Sequence, residues 1–207
     1  MPKRSPREKL KEERKLQIIR TACRLFANKG YHNTTIPDIA RELNMSVGNL
    51  YNYFESKEEL AKEVMITVSK LVAERLKRIN EENIPTEHKI RKLVISFFEI
   101  AIQEPELVDY FLRVFLANRE VFKGGCEGFA CVGEVVTEIA ILLSNGIEKG
   151  ELKNQDFFSA FVTIMGPMGG IVFLHGEGIL EKSLMEYVSE IAENIWNALK
   201  SSRGEWT

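Results

Sequence analysis

This sequence predicts an all-α fold, and three observations carry that prediction. Apolar residues recur at the i, i+3, i+4, i+7 spacing of a helix face almost throughout, and alternation of strand type is nearly absent. Caps and stop residues cut the pattern into about nine helices. No internal repeat exists that would stack these helices into a solenoid. The first three segments are short and basic; the rest are longer, more acidic and more apolar.

The elements follow in order. Residues 8–29 carry Ile19, Ala22, Cys23 and Phe26 on one helix face, and Gly30 is a natural stop. After the loop YHNTT, Thr35 and Asp38 form a T-x-x-D variant of the capping box. Pro37 falls in the first turn, where its missing N–H costs little. This second helix runs to about Leu43, with Ile36, Ile39, Ala40 and Leu43 on one side. Asn44 can take the left-handed conformation that a sharp helix exit needs. Ser46 caps a third helix to about Phe54, and Ser56 with Glu59 opens a long helix over 57–82. Residues 83–86 break the chain. A helix to about Gln103 follows, then one over 104–119 with Pro105 at a first helical position. Residues 123–128 read as a loop. Helices at about 129–148, 155–175 and 180–199 complete the nine.

A composition of 44% hydrophobic and 28% charged residues is that of an ordinary globular protein. The charged N-terminus is not followed by an apolar segment, so no secretory leader is expected. The most apolar run, 161–174, is broken by Gly166, Pro167, Gly169 and Gly170; it reads as a buried helix too short for a membrane. The cysteines, Cys23, Cys126 and Cys131, are odd in number, which fits a reducing cytoplasm. Cys126 and Cys131 with His175 lack zinc-motif spacing, so neither metal nor cofactor is expected. The histidines are His32, His88 and His175. No nucleophile motif or phosphate loop accompanies them, so no catalysis is expected.

The net charge of −2 hides an asymmetry. Residues 1–57 hold 12 lysines and arginines against 6 acids, a balance of +6, and residues 58–207 hold 16 against 24, a balance of −8. The chain therefore divides into a basic domain, 1–57, and an acidic body, 58–207. A polyanion is the natural partner of the first.

Two short helices joined by Leu43-Asn44-Met45-Ser46 read as a helix-turn-helix, whose second helix enters a DNA major groove. At about 100° per residue, Val47, Leu50 and Phe54 share one side within roughly 60° and can pack inward. Gly48, Asn49 and Asn52 lie opposite, with Tyr51 and Tyr53 on the flanks. Asparagine pairs with base edges, adenine above all. Gly48 lets the backbone approach DNA. The tyrosines reach phosphates on either wall of the groove. Ser46, Thr35 and Lys57 offer hydroxyl and ammonium groups to the backbone. Lys3, Arg4, Arg7, Lys9 and Lys11 form a basic arm able to reach neighbouring phosphates or the minor groove. The competing reading is a small helical bundle with a polar face, in which Tyr51 and Tyr53 only pack.

Residues 18–64, through IIRTACRLFANKGY, TTIPDIA and MSVGNLYNYFESKEEL, resemble the DNA-binding domain of the TetR family of bacterial transcriptional regulators. Asn44 stands where that family usually has glycine, and Met45 where it often has valine. The resemblance implies that Thr35, Ser46, Gly48, Tyr51, Tyr53 and Lys57 lie in the DNA contact set, with Val47, Asn49 and Asn52 at positions that vary with operator sequence. It also implies an all-helical regulatory body and a homodimer through the last two helices. Two half-sites in one operator call for such two-fold symmetry.

Phe161, Ile164, Leu184, Val188, Ile191, Ile195 and Leu199 supply apolar faces for that dimer. A ligand cavity lined by Phe97, Phe98, Tyr110, Phe111, Phe115, Met165 and Met168, with His175 as polar anchor, would suit a small apolar or aromatic molecule. Taken one at a time, these residues favour plain core over a cavity lining, and His175 favours a satisfied or exposed histidine over an anchor. The expected function is a cytoplasmic repressor released from double-stranded operator DNA by such a ligand. The alternatives are an activator or a DNA-binding protein of this fold without an effector.

Overall fold

The computed structural model describes residues 5–117 and 130–201, the side chains of 113–117 excepted. Lys3, Arg4, Cys126 and the Phe115 side chain lie outside the described residues. The first helix, α1 (Pro6–Lys29), starts two residues earlier than its apolar pattern. Ser5 explains this: its hydroxyl accepts the Glu8 N–H at 3.3 Å, while the Glu8 carboxylate accepts the Ser5 N–H at 2.7 Å. This complete capping box, with proline at the first helical position, stabilises a start that buries nothing. The expected basic arm is thus helical from Pro6, which places Arg7, Lys9 and Lys11 on a rigid rod.

Helices α2 (Ile36–Glu42), α3 (Val47–Tyr51), α4 (Lys57–Glu81), α5 (Thr86–Gln103) and α6 (Pro105–Ala117) follow. Then come α7 (Gly133–Glu148), α8 (Phe157–Gly176), a 3₁₀ turn (Leu184–Tyr187) and α9 (Val188–Leu199). Nine α-helices among the described residues is the predicted number. Helix α3 ends at Tyr51, short of Phe54, because its last turn tightens: the Tyr53 and Phe54 N–H groups both bond the Leu50 carbonyl. The last helix starts later than residue 180 because Ser183 and Glu186 close a capping box there.

Asn44 is the one non-glycine residue at positive φ among the described residues, at 51°. The Met45 N–H bonds the Ala40 carbonyl at 2.9 Å, and the Asn44 N–H bonds that of Arg41 at 3.1 Å. These are the two bonds of a Schellman turn, and its C′ residue is the left-handed one. The expected conformation is therefore the observed one. Asn44→Gly should leave the melting temperature unchanged or raise it, whereas Asn44→Val should cost about 1–2 kcal/mol, readable by thermal unfolding. Equal stabilities would show that the turn imposes no left-handed demand.

The sequence places a domain division after residue 57; packing divides the chain differently. The first compact unit comprises residues 1–68 and 106–131, and the second 69–105 and 132–207. In the first, Ile18, Ala22 and Phe26 of α1 lie in one core with Ile39, Leu50, Phe54 and Leu60. Tyr110 of α6 is buried in this core. Its ring stacks on Phe26 at 5.6 Å and its hydroxyl donates to the Ala61 carbonyl at 2.9 Å. Burial pushes its phenol above the ordinary range. Phe111 is half-buried in the same unit.

In the second unit α9 packs on α5 and α8, and α7 packs on α8. Gly146 of α7 is a close-approach position: a β-carbon there would stand 2.7 Å from the Cγ of buried Leu152. Glu151 caps α5 by accepting the Thr86 N–H at 2.8 Å, and hydrogen bonding from the Thr86 side chain, aided by that backbone bond, holds its carboxyl below the usual range. Buried Lys89 donates to the Asn80 carbonyl at 2.7 Å, and desolvation lowers its pKa. Phe97, Phe98 and Met168 are buried in this unit, Met165 is half-buried, and His175 is exposed. His175 therefore stands in solvent and does not point into a core.

Helix α8 falls on the segment expected at about 155–175, but its apolar run over 161–174 is not the buried stretch expected. It is continuous over 20 residues through Pro167, its mean hydropathy reaches 1.9, and only 22% of that stretch is buried. By length and composition alone it could cross a membrane. Ala160, Ile164, Met168 and Val172 point inward; Phe158, Val162, Phe173 and Leu174 are exposed. The residues expected in the dimer differ in burial. Ile164, Leu184, Val188, Ile195 and Leu199 are at most 5% exposed, so their side chains fill this chain's own core. Phe161 and Ile191 are half-buried.

Candidate nucleic-acid interface

Helices α2 and α3 and the turn between them present one outward surface. Thr35 caps α2: its hydroxyl accepts the Asp38 N–H at 3.3 Å, and the Asp38 carboxylate accepts the Thr35 N–H at 3.1 Å. A third bond runs from the Thr35 hydroxyl to the same carboxylate at 2.6 Å, and these bonds hold Asp38 below its ordinary pKa. Ser46 caps α3 by accepting the Asn49 N–H at 3.2 Å. Both hydroxyls are exposed, each already tied to its own helix start.

Helix α3 spends one residue on folding. Leu50 is fully buried, while Val47, Gly48, Asn49 and Tyr51 are exposed. Val47 is 37% exposed, so the expected inward triad reduces to Leu50 and Phe54, and Val47 joins the outer face. A β-carbon on Gly48 would meet nothing within 4 Å. Glycine here costs about 1 kcal/mol of helix propensity with no packing return inside the molecule. Asn52 follows the helix as its C-cap and is exposed. Tyr51 is 49% exposed and Tyr53 half-buried, so the two flanks are not equivalent.

Tyr53 borders an open groove of about 980 Å³ formed with Arg7, Leu10, Lys11, Arg14 and neighbours on α1. Arg14 ties α1 to α2, donating to the Leu43 carbonyl at 3.3 Å and so satisfying a carbonyl at the end of α2. Neither Arg14 nor the α1 start was found from the apolar pattern. The signal was nonetheless present, because Ser5-Pro6-Arg7-Glu8 is a full capping-box sequence. Lys57 is half-buried and turned inward, with its ammonium on the Tyr31 and Thr34 carbonyls at 3.0 and 3.1 Å. Among the described residues no group of acids, cysteines and histidines could hold a metal ion.

Residues 18–64 match the family of bacterial regulatory proteins, tetR family. The HTH-type transcriptional regulator HbdR of Aromatoleum sp. (strain CIB) is 50% identical over 52 residues, 25% of this chain and 23% of that protein. The chain thus aligns with under a quarter of that relative's length. The uncharacterized HTH-type transcriptional regulator YhgD of Bacillus subtilis (strain 168) is 26% identical over 161 residues, 73% of this chain and 79% of that protein. Among solved structures, the transcriptional regulator FadR from Bacillus subtilis in complex with stearoyl-CoA superposes with a TM-score of 0.78. It is 20% identical and covers 87% of this chain and 96% of that one. At that identity the likeness establishes the fold.

Proposed function

We propose that this chain, whose residues 18–64 match the tetR family of bacterial regulatory proteins, is a cytoplasmic, homodimeric repressor of that family that a small apolar ligand releases from its operator. The observation that carries the DNA-reading part is the outer face of α3. Gly48 and Asn49, with Asn52 just beyond, stand open around a single buried anchor, Leu50. Asn49 and Asn52 read base edges in the major groove, and Gly48 lets the backbone come close. Val47 contributes an apolar contact to the same face. Tyr51, Tyr53, Thr35 and Ser46 hold the sugar-phosphate backbone and set register.

The dimer forms through the outward stripe of α8, whose exposed apolar residues need a cover. The ligand belongs among the second unit's apolar side chains, near Phe97, Phe98, Met165 and Met168. FadR, the fold relative, is described with stearoyl-CoA, so a long-chain acyl thioester is the first compound to test. Helix α4 spans the boundary at Val68, and ligand acts by favouring one placement of it, a population shift.

Selection of bound DNA from a random pool tests this reading. An inverted repeat of two half-sites should be enriched. Asn52→Ala should lose preference at one base pair per half-site, about 1–3 kcal/mol for each contact. Stearoyl-CoA added to the complex should then release the DNA. A pool that stays random after selection rejects the assignment; enrichment with no release by any acyl thioester or free fatty acid favours a regulator without such an effector.

A further inference from the structure

We propose that Val47 reads the C5 methyl group of one thymine in each half-site of the operator. The inference rests on the DNA-reading assignment above and names the chemistry of one contact in it. Val47 is the first residue of α3, directly after the cap Ser46. In a helix-turn-helix the residues at the start of the second helix meet the base edges. Helix α3 has two aliphatic side chains, and they are used differently: Leu50 is fully buried, and Val47 is exposed. Ile39, Leu50 and Phe54, each at most 1% exposed, fill the core beneath, and Val47 is left at its edge.

Folding alone gives little reason for a valine there. Branching at Cβ restricts its rotamers in a helix, and methyl groups left in water contribute no hydrophobic stabilisation. Its surroundings suit a base edge. The Ser46 hydroxyl is committed to the Asn49 N–H at 3.2 Å. Gly48 has nothing within 4 Å of where a β-carbon would stand, so the backbone beside Val47 can come close to the bases. Tyr51 lies one turn on, shares the flank of Val47 and is exposed. The long tyrosine reaches out to the groove wall, and the short valine stays over the floor. Valine has no donor or acceptor to offer there. Among the major-groove edges of the four bases, thymine alone presents an apolar group, its methyl. Opposite cytosine or adenine, Val47 would strip water from an exocyclic amine and return no hydrogen bond. The contact therefore selects thymine, independently of the hydrogen bonds made by Asn49 and Asn52.

Deoxyuridine tests this, because it lacks the methyl and keeps every hydrogen-bonding group of thymidine. Affinities are measured for the selected operator, for copies with deoxyuridine replacing each thymidine in turn, and for random DNA. Wild type and Val47→Ala are compared, with thermal unfolding alongside. For wild type, one thymidine position per half-site should lose about fourfold in affinity, and about fifteenfold when both half-sites are changed. Val47→Ala should bind the thymidine and deoxyuridine forms of that position equally. Its random-DNA affinity should stay at the wild-type value and its melting temperature should not fall, since alanine is the better helix former. A wild type indifferent to deoxyuridine at every position overturns the proposal. So does a sensitivity that Val47→Ala retains in full, which would assign the methyl to another residue or to DNA shape; a purely structural role for Val47 gives that same retention. Should the variant not fold, the wild-type complex decides by nuclear Overhauser contacts: Val47 methyl protons should lie against a thymine methyl, and their absence refutes the contact. A wild-type pool that stays random after selection rejects the proposed function itself, an outcome read before any deoxyuridine is introduced.

Discussion

Leu50→Ala should unfold the reading surface. The expected cost is about 2–5 kcal/mol, the usual range for emptying a fully buried leucine site. Helix α3 cannot absorb that loss. It has five residues, one of them glycine and one asparagine, and isolated helices of that length do not persist in water. Leu50 is its one buried residue, and its carbonyl receives the N–H groups of Tyr53 and Phe54. Losing the side chain thus frees the turn that carries Asn52 and Tyr53 as well. The melting temperature of the first unit should fall by about ten degrees or more, with amide protection lost first over residues 46–54. Operator binding should disappear while the second unit keeps its helical circular dichroism. A drop of only a degree or two would mean that α3 is held by something other than Leu50.

Val162→Glu combined with Phe173→Glu should separate the proposed dimer. Val162 is 63% exposed and Phe173 46% exposed, and eleven residues apart they share the outward side of α8. Gly166 and Gly169 lie between them on that side, where small residues let a second helix approach closely. Four glutamates brought together in a two-fold seam are not compatible with burial. Sedimentation should show a monomer at micromolar concentration. Operator affinity should fall by about 10²–10⁴-fold as two linked half-site contacts become one. Wild-type protein that is already monomeric, or that partitions into lipid vesicles through its 20-residue apolar helix, would remove the basis of this expectation.

Much of the reading surface was legible because its signals are local. Thr35, Asn44 and Ser46 each act within a few residues of chain, through caps and a left-handed turn whose chemistry is written in side-chain type. Leu50 was legible because a helix wheel separates one buried side from one open side. Val47 carries two expectations, inward packing from the wheel and the outer face from the family resemblance, and its 37% exposure fits the second. Lys57 shows a different limit. Its position at a helix start was correct, but a charged side chain of that length can point to solvent or back to the chain, and spacing does not distinguish them.

The body shows the same limit at larger scale. Its all-α class, its nine helices and the apolar character of residues 157–176 follow from sequence, because periodicity and capping depend on neighbours along the chain. Which apolar residues meet each other does not. Val188, Ile195 and Leu199 form a regular stripe that fits a partner subunit or the chain's own α5 equally well, and the fold spends it on its own core. Tyr110 carries an aromatic ring suited to a ligand, yet it stacks on Phe26, distant in sequence. Burial is a property of surfaces brought together across long sequence separations. A local pattern announces that a face must be covered, and only tertiary packing decides what covers it.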